Sequence, residues 1–144
     1  MTTFDTHRLP LVVPEIDDVT APYWAGAAQH ELLVPWCALG HHFWIPRSFC
    51  PDHPDAAVTP AQVSGLGLIY SFTVIHNGEG PFASSVPYVL AYVELDEGPR
   101  VMTNIVDCEE RELHIGLPVE VVFHGNDESW AIPHFRPARD DSSR

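Results

Sequence analysis

The segment from Trp36 to His53 constrains the fold most, because it has the outline of a zinc ribbon from which one ligand is missing. A closed structural zinc site takes four ligands from two tight turns, and each turn commonly supplies a closely spaced pair of Cys or His. Cys50 and His53 form such a pair in the second turn. The first turn offers Cys37, but Gly40 stands where its partner would be.

Two histidines follow Gly40 directly, and they leave three outcomes open. Either His41 or His42 supplies the fourth ligand, or the segment keeps the shape of a ribbon without metal, held by its aromatic side chains. With His41 in the fourth place, the predicted metal-ligating set is Cys37, His41, Cys50 and His53. A site filled by four protein ligands has no position for chemistry, so we expect the segment to serve docking and shape.

The charge of the chain argues against one large class of function. Its 144 residues include seven arginines, no lysine and 20 acidic residues, which gives a net charge of −13 with neutral histidines. Such a surface repels phosphate backbones, so we predict no nucleic-acid partner. Nucleic-acid binding by a small barrel is the weakest of the alternatives.

Cysteine usage and hydropathy indicate a cytoplasmic protein. Three cysteines at irregular spacing do not describe a disulfide framework. The first residues lack the basic and apolar regions of a secretory signal, and no segment approaches 18 consecutive apolar residues. We therefore expect no membrane partner.

The rest of the chain predicts one short helix followed by strands. Thr20 can cap a helix that has Pro22 in its first turn and Tyr23 and Trp24 on its apolar face. After the ribbon, β-branched and aromatic runs alternate with Gly, Pro and Asp punctuation. These runs are 67–76, 88–95, 100–107 and 119–124, with a short one near 130–135. Short strands without a long helix between them predict a small, closed or partly closed antiparallel barrel.

Six motifs, taken in order from about Tyr23 to Phe123, resemble the DUF35 family. They are the Tyr23-Trp24 pair, Pro46-Arg47-x-x-Cys50-Pro51, Ser64-Gly65-x-Gly67-x-x-Tyr70-Ser71-Phe72-Thr73, Pro87-Tyr88-Val89, the run from Val93 to Arg100, and Ile115-Gly116-x-Pro118-Val119.

The resemblance implies a mainly β fold with a rubredoxin-like zinc ribbon followed by an OB-fold. We expect an extended arm over residues 1–19, a short helix plus ribbon over 20–58, a five-stranded antiparallel OB-fold barrel over 59–136 and a disordered tail over 137–144. The family's second zinc cysteine falls near Gly40, so the ribbon of this chain is degenerate.

Members of the family are generally accessory proteins of acyl-CoA enzymes. The resemblance therefore implies a non-catalytic subunit of a hetero-oligomer. Its partner would be a thiolase-like enzyme (thiolase, aldolase or acyltransferase) or a MaoC-type hydratase, and the subunit would help to form the partner's acyl-CoA site. The expected setting is lipid, steroid, aromatic or polyketide acyl metabolism, with zinc as cofactor and acyl-CoA as ligand.

Candidate binding residues follow from the chemistry of that ligand. The phosphates of CoA usually need a cationic side chain. We expect Arg47, beside the ribbon, to bind a phosphate or a carboxylate of the partner; the alternative is that Arg47 pairs with an acid of its own chain. We expect Tyr23 and Trp24 to dock on the partner. The remaining candidates would line an apolar wall or touch the thioester, and they are Tyr70, Phe72, His76, Phe82 and Tyr88.

The alternative function is a small stand-alone acyl-CoA thioester enzyme that uses His76. This histidine ends an apolar strand and precedes a glycine-bearing loop, where it could contact a thioester or simply bond the loop backbone. Cys108 lies among acids that raise a thiol's pKa, so it is a poor nucleophile. His114, His124 and His134 are scattered, and we expect them at the surface or at strand edges.

Overall fold

The computed structural model of the chain describes residues 2–125 and 130–139. Over these residues it shows one α-helix, α1 (Ala21–Ala28), which is too short to span a membrane. The strands are β1 (Thr3–Phe4), β2 (Leu33–Cys37), β3 (His41–His42), β4 (Val58–Gln62), β5 (Leu66–Ile75), β6 (Tyr88–Leu95), β7 (Arg100–Ile105), β8 (Cys108–Glu109), β9 (Pro118–His124) and β10 (Ile132–Pro137). Short 3-10 turns lie at Thr6–Arg8, Gly80–Phe82 and Glu110–Glu112.

Five strands close a barrel in the order β10-β7-β6-β5-β9, and the prediction of a small barrel is confirmed. The prediction that the barrel is wholly antiparallel was wrong in one detail, because β10 meets β7 in parallel with Phe135 opposite Ile105. The other neighbouring pairs are antiparallel. Five is an odd number, so strand directions cannot alternate all the way around a closed ring and one pair must be parallel.

The interior of the barrel is filled by side chains from every second position of its strands. On β6, Val89, Ala91, Val93 and Leu95 are all buried, and the residues between them lie on the outer side. A β-bulge between Ile69 and Ser71 changes the phase of β5 partway along the strand.

The ribbon is a separate three-stranded antiparallel sheet in the order β3-β2-β4. Helix α1 precedes the ribbon. We expected the Thr20 side chain to cap this helix, but its hydroxyl donates to the Asp17 carboxylate at 3.0 Å and makes no capping hydrogen bond. Tyr23 lies in an aromatic cluster, with ring centroids 4.8 Å from Trp24 and 5.1 Å from Trp44. Helix and ribbon therefore join through aromatic packing.

The first residues of the predicted arm pack on the barrel. β1 pairs with β8, and Phe4 is 4% exposed within the main core. Residues 10–16 have no regular secondary structure, and Leu11 and Val13 are exposed there. Of the predicted tail, Pro137 ends β10, and 140–144 lie outside the described residues. The domain boundaries remain predictions.

Candidate metal centre and ribbon cleft

Two cysteines and two histidines converge at one end of the ribbon sheet. Cys37 ends β2, His41 begins β3, and Cys50 and His53 lie in the loop before β4. One ligand atom from each residue lies within 4.8 Å of the other three. The Cys37 Sγ is 3.5 Å from His53 Nδ1, and the Cys50 Sγ is 3.4 Å from His41 Nε2 and 3.8 Å from His53 Nδ1.

The three sulfur–nitrogen separations of 3.4–3.8 Å fit a tetrahedral ion. Zinc lies about 2.3 Å from thiolate sulfur and about 2.0–2.1 Å from imidazole nitrogen, which places neighbouring ligand atoms roughly 3.3–3.8 Å apart. Two thiols and two imidazoles are also a common ligand set of structural zinc sites. The four residues therefore form a candidate metal-binding group, and it is closed to substrate because all four corners belong to the protein.

The turn after β2 shows how a histidine takes the place of the missing cysteine. Gly40 has φ +105°, a left-handed conformation that favours glycine, and its N–H donates to the Cys37 carbonyl at 2.8 Å. This turn directs His41 to the cluster, whereas His42 packs its ring on Trp36 with centroids 4.6 Å apart. Of the two histidines that the sequence left open, the geometry favours His41.

The thiols of the cluster lie in a buried environment. Cys37 and Cys50 are both fully buried. Burial raises the pKa of the Cys37 thiol, and the neighbouring Cys50 adds to the rise. A bound cation would oppose this effect because it stabilises the thiolate form.

A cleft of about 250 Å³ lies between α1, the ribbon sheet and the loop after β3. Its walls are mainly apolar, and its polar groups are Asp18, Tyr23, Arg47, Ser48 and Thr59. Arg47 is exposed, and no carboxylate within the described ranges lies within 4.0 Å of its guanidinium. The own-chain ion pair considered for Arg47 is not formed with any acid of residues 2–125 and 130–139. Burial raises the pKa of Tyr23, whose ring borders the cleft.

The other predicted ligand-binding residues do not share this cleft. Tyr70 lies on the outer barrel surface under Arg100, whose guanidinium carbon is 3.8 Å from the ring centroid. Phe72 lies two residues further along β5 and packs partly against the core. Neither residue lines the cleft at the ribbon.

The last three predicted ligand residues lie where the β5–β6 hairpin turns. Phe82 and Tyr88 pack their rings together with centroids 5.3 Å apart. His76 is exposed just after β5 and makes no side-chain hydrogen bond in the part of the chain that the structure describes. The six candidates thus fall into three places: Arg47 at the cleft, the Tyr70–Phe72 pair and the hairpin turn.

The structure also shows a histidine cluster that the sequence pattern did not reveal. The His124 ring centroid lies 6.1 Å from His7 and 5.7 Å from His134. His134 is only 4% exposed, which corrects its expected place at the surface. Burial lowers the pKa of His134 to about 4, and the adjacent His124 contributes to the lowering.

Cys108 is buried at the end of the barrel, as a packing role requires. Burial, with a contribution from the carboxylates of Glu112 and Asp107, raises the pKa of its thiol to about 12. A thiol with this pKa is almost wholly protonated at neutral pH, which makes it a poor nucleophile.

Comparisons with known proteins connect this geometry to a family. The family model described as "ChsH2, C-terminal OB-fold domain" matches residues 61–124. The chain is 34% identical over 129 residues to a probable enoyl-CoA hydratase alpha subunit of Thermomonospora curvata, covering 87% of this chain and 39% of that protein. It is 33% identical over 101 residues to a DUF35 domain-containing scaffold protein of Pyrococcus furiosus, covering 69% and 74%.

Among solved structures, the chain is similar to one described as "Ltp2-ChsH2(DUF35) aldolase". The TM-score is 0.77 with 32% identity, and the match covers 88% of this chain and 100% of that one. A ribbon with a candidate metal-binding group, joined to a closed OB barrel, therefore defines the class of protein. The chain belongs to the DUF35 family. The match spans 39% of the length of the hydratase subunit.

Proposed function

We propose that the chain is a non-catalytic accessory subunit that docks on a thiolase-like enzyme or a MaoC-type hydratase and completes its acyl-CoA site. The observation that carries this proposal is the match to the full length of the ChsH2(DUF35) chain, which is named together with Ltp2 as an aldolase. The similarity to an enoyl-CoA hydratase alpha subunit supports a CoA thioester as ligand. Lipid or steroid acyl metabolism in the cytoplasm is the setting we propose.

In this assembly Arg47 would bind a CoA phosphate or a carboxylate of the partner. It is exposed, has no carboxylate within 4.0 Å in the described ranges, and borders a mainly apolar cleft that also contains Asp18. A guanidinium in such a position can form paired hydrogen bonds to an oxyanion. Tyr23 and Trp24 next to the cleft would contact the partner enzyme.

The remaining candidates would supply apolar wall and polar contacts along the acyl chain. Tyr70 and Phe72 would do so from the barrel surface, and His76, Phe82 and Tyr88 from the hairpin turn. These residues do not share one of the main pockets formed by the described residues, so the partner would complete the site between them.

The four-ligand group would hold zinc through Cys37, His41, Cys50 and His53. Zinc would supply a structural cross-link there, and no catalytic step needs it. The ribbon needs such a link because its own buried cluster is small, with Phe43 as its one buried side chain other than the two cysteines.

The proposal is tested by co-expressing the tagged chain with the thiolase-like and MaoC-type proteins of the same genome. Acyl-CoA turnover is then measured for each component and for any complex. We expect turnover to depend on the complex, and Arg47→Ala to raise the KM for the acyl-CoA. Arg111→Ala is the matched control, because Arg111 is exposed, outside the cleft and paired with Glu109. Turnover by the isolated chain would overturn the proposal and direct attention to His76.

A further inference from the structure

A second apolar surface lies on the outside of the barrel, across β5, β6 and β7. Tyr70, Tyr92 and Met102 keep 48%, 43% and 57% of their surface exposed. Tyr92 is the direct cross-strand neighbour of Ser71 on one side and of Met102 on the other. Side chains from three strands therefore adjoin on one surface, which we call the Tyr92 face: Tyr70, Ser71, Leu90, Tyr92 and Met102.

A groove of about 260 Å³ opens within the Tyr92 face. Phe72, Leu90 and Met102 are among the residues that line it, and none of its lining side chains is acidic or basic. A groove of this kind accepts a large apolar side chain of another protein, the usual arrangement at the centre of a protein interface.

The composition of the face differs from that of the chain around it. The whole chain carries a net charge of −13, whereas the residues that line the groove carry no charge. Charged side chains lie at one end of the face. There Arg100 covers the Tyr70 ring and is paired with Glu94 at 2.9 Å, and Asp96 is exposed in the turn that follows β6. Tyr, Met and Arg are enriched at interface cores, and acidic residues and Lys are depleted there.

We propose that the partner enzyme docks on the Tyr92 face and that it presents an apolar side chain surrounded by basic residues. The net charge favours this occupant: two copies of a chain with net charge −13 repel each other, whereas basic residues of a partner complement that charge and the exposed carboxylate of Asp96 at the end of the face. This inference rests on the proposed accessory function, and it adds the surface and the chemistry that the partner must have.

A charge placed within the face tests the proposal. Met102→Glu is compared with Ile115→Glu, because Ile115 is 63% exposed and lies outside the face. The complex of each variant with the co-purified enzyme is titrated by calorimetry, after circular dichroism has shown that both variants are folded. We expect Met102→Glu to raise the Kd roughly tenfold or more and Ile115→Glu to leave it within about twofold.

A second measurement does not depend on a destabilising substitution. A photo-cross-linking phenylalanine analogue in place of Tyr92 should form a covalent link to the enzyme subunit, and the same analogue in place of Ile115 should not. Higher salt should also weaken the complex, because the complementary rim charges are then screened.

Each outcome has a separate meaning. Equal affinities for Met102→Glu and Ile115→Glu, with no cross-link from position 92, would show that the complex forms through another surface and would overturn this inference alone. Failure of the unmodified chain to bind any thiolase-like or MaoC-type protein of its genome would overturn the proposed function, and this inference with it. Cross-links between two copies of the chain would show that a second copy, rather than an enzyme, occupies the face.

Discussion

Acidification is expected to destabilise the fold through a buried histidine on β10. His134 is 4% exposed, and its Nδ1 has no hydrogen-bond partner within the described ranges. Its nearest titratable neighbour is His124 on β9, whose own pKa is lowered by burial first and by His7 second. Protonation of His134 would place a positive charge among apolar side chains and beside another imidazole, so its folded-state pKa is held at about 4.

The direction of the effect follows from proton linkage. In the unfolded chain a histidine titrates near pH 6.5, whereas His134 in the folded chain titrates near pH 4. Between these values the unfolded state binds the additional proton, so the free energy of unfolding falls as the pH is lowered. The stability is fully present above about pH 6.5 and is lost progressively down to about pH 4. At about 1.4 kcal/mol per pKa unit, the loss is roughly 3 kcal/mol.

Urea unfolding followed by tryptophan fluorescence measures this loss at a series of pH values between 7 and 4. The comparison is with His134→Phe, which keeps a ring, and with His134→Gln, which keeps a polar side chain without the titration. We expect the unmodified chain to lose roughly 3 kcal/mol more than either variant over this range. Loss of a metal or protonation of carboxylates affects all three proteins alike and cancels in the difference. Parallel profiles for the three proteins would refute the reasoning.

Two further predictions concern the ribbon and the barrel. Cys50→Ser should abolish the binding of one zinc per chain, measured by mass spectrometry under native conditions, and should lower the Tm; an unchanged metal content would contradict the four-ligand assignment. Gly67→Ala should destabilise the fold by about 2–3 kcal/mol in urea unfolding, because an added Cβ would lie 2.5 Å from the Glu94 carbonyl oxygen of the paired strand. A change within about 0.5 kcal/mol would show that β5 and β6 can separate at this point without cost.

The candidate metal-binding group was predictable because its sequence pattern is local. Cys50 and His53 form a spaced pair that can be read directly from the chain, and Cys37 lies near enough to complete a ribbon. The choice between His41 and His42 was not predictable, because it depends on the backbone direction after Gly40. A φ of +105° there decides which of two adjacent imidazoles reaches the thiols.

The sequence was enough to predict a small barrel, but not to predict which side chains of each strand point into it. On β6 every second side chain from Val89 to Leu95 is buried, so simple alternation assigns the inner and outer residues of the whole strand. On β5 the bulge after Ile69 changes the phase, and alternation alone could not tell that Tyr70 is exposed while Phe72 packs against the core. The burial of His134 had no local signal either, because it arises from contact with β9.

The cleft and the Tyr92 face are built by different parts of the chain, but Tyr23 of α1 lies between them. Tyr23 borders the cleft on one side. On its other side Tyr23 lines a small cavity together with Trp44 and Met102, and Met102 belongs to the Tyr92 face. A partner that covers Met102 would therefore also approach the aromatic cluster and the cleft that contains Arg47. This continuity explains how one enzyme could contact both the barrel and the ribbon, and why the ribbon's shape would need a cross-link although it performs no chemistry.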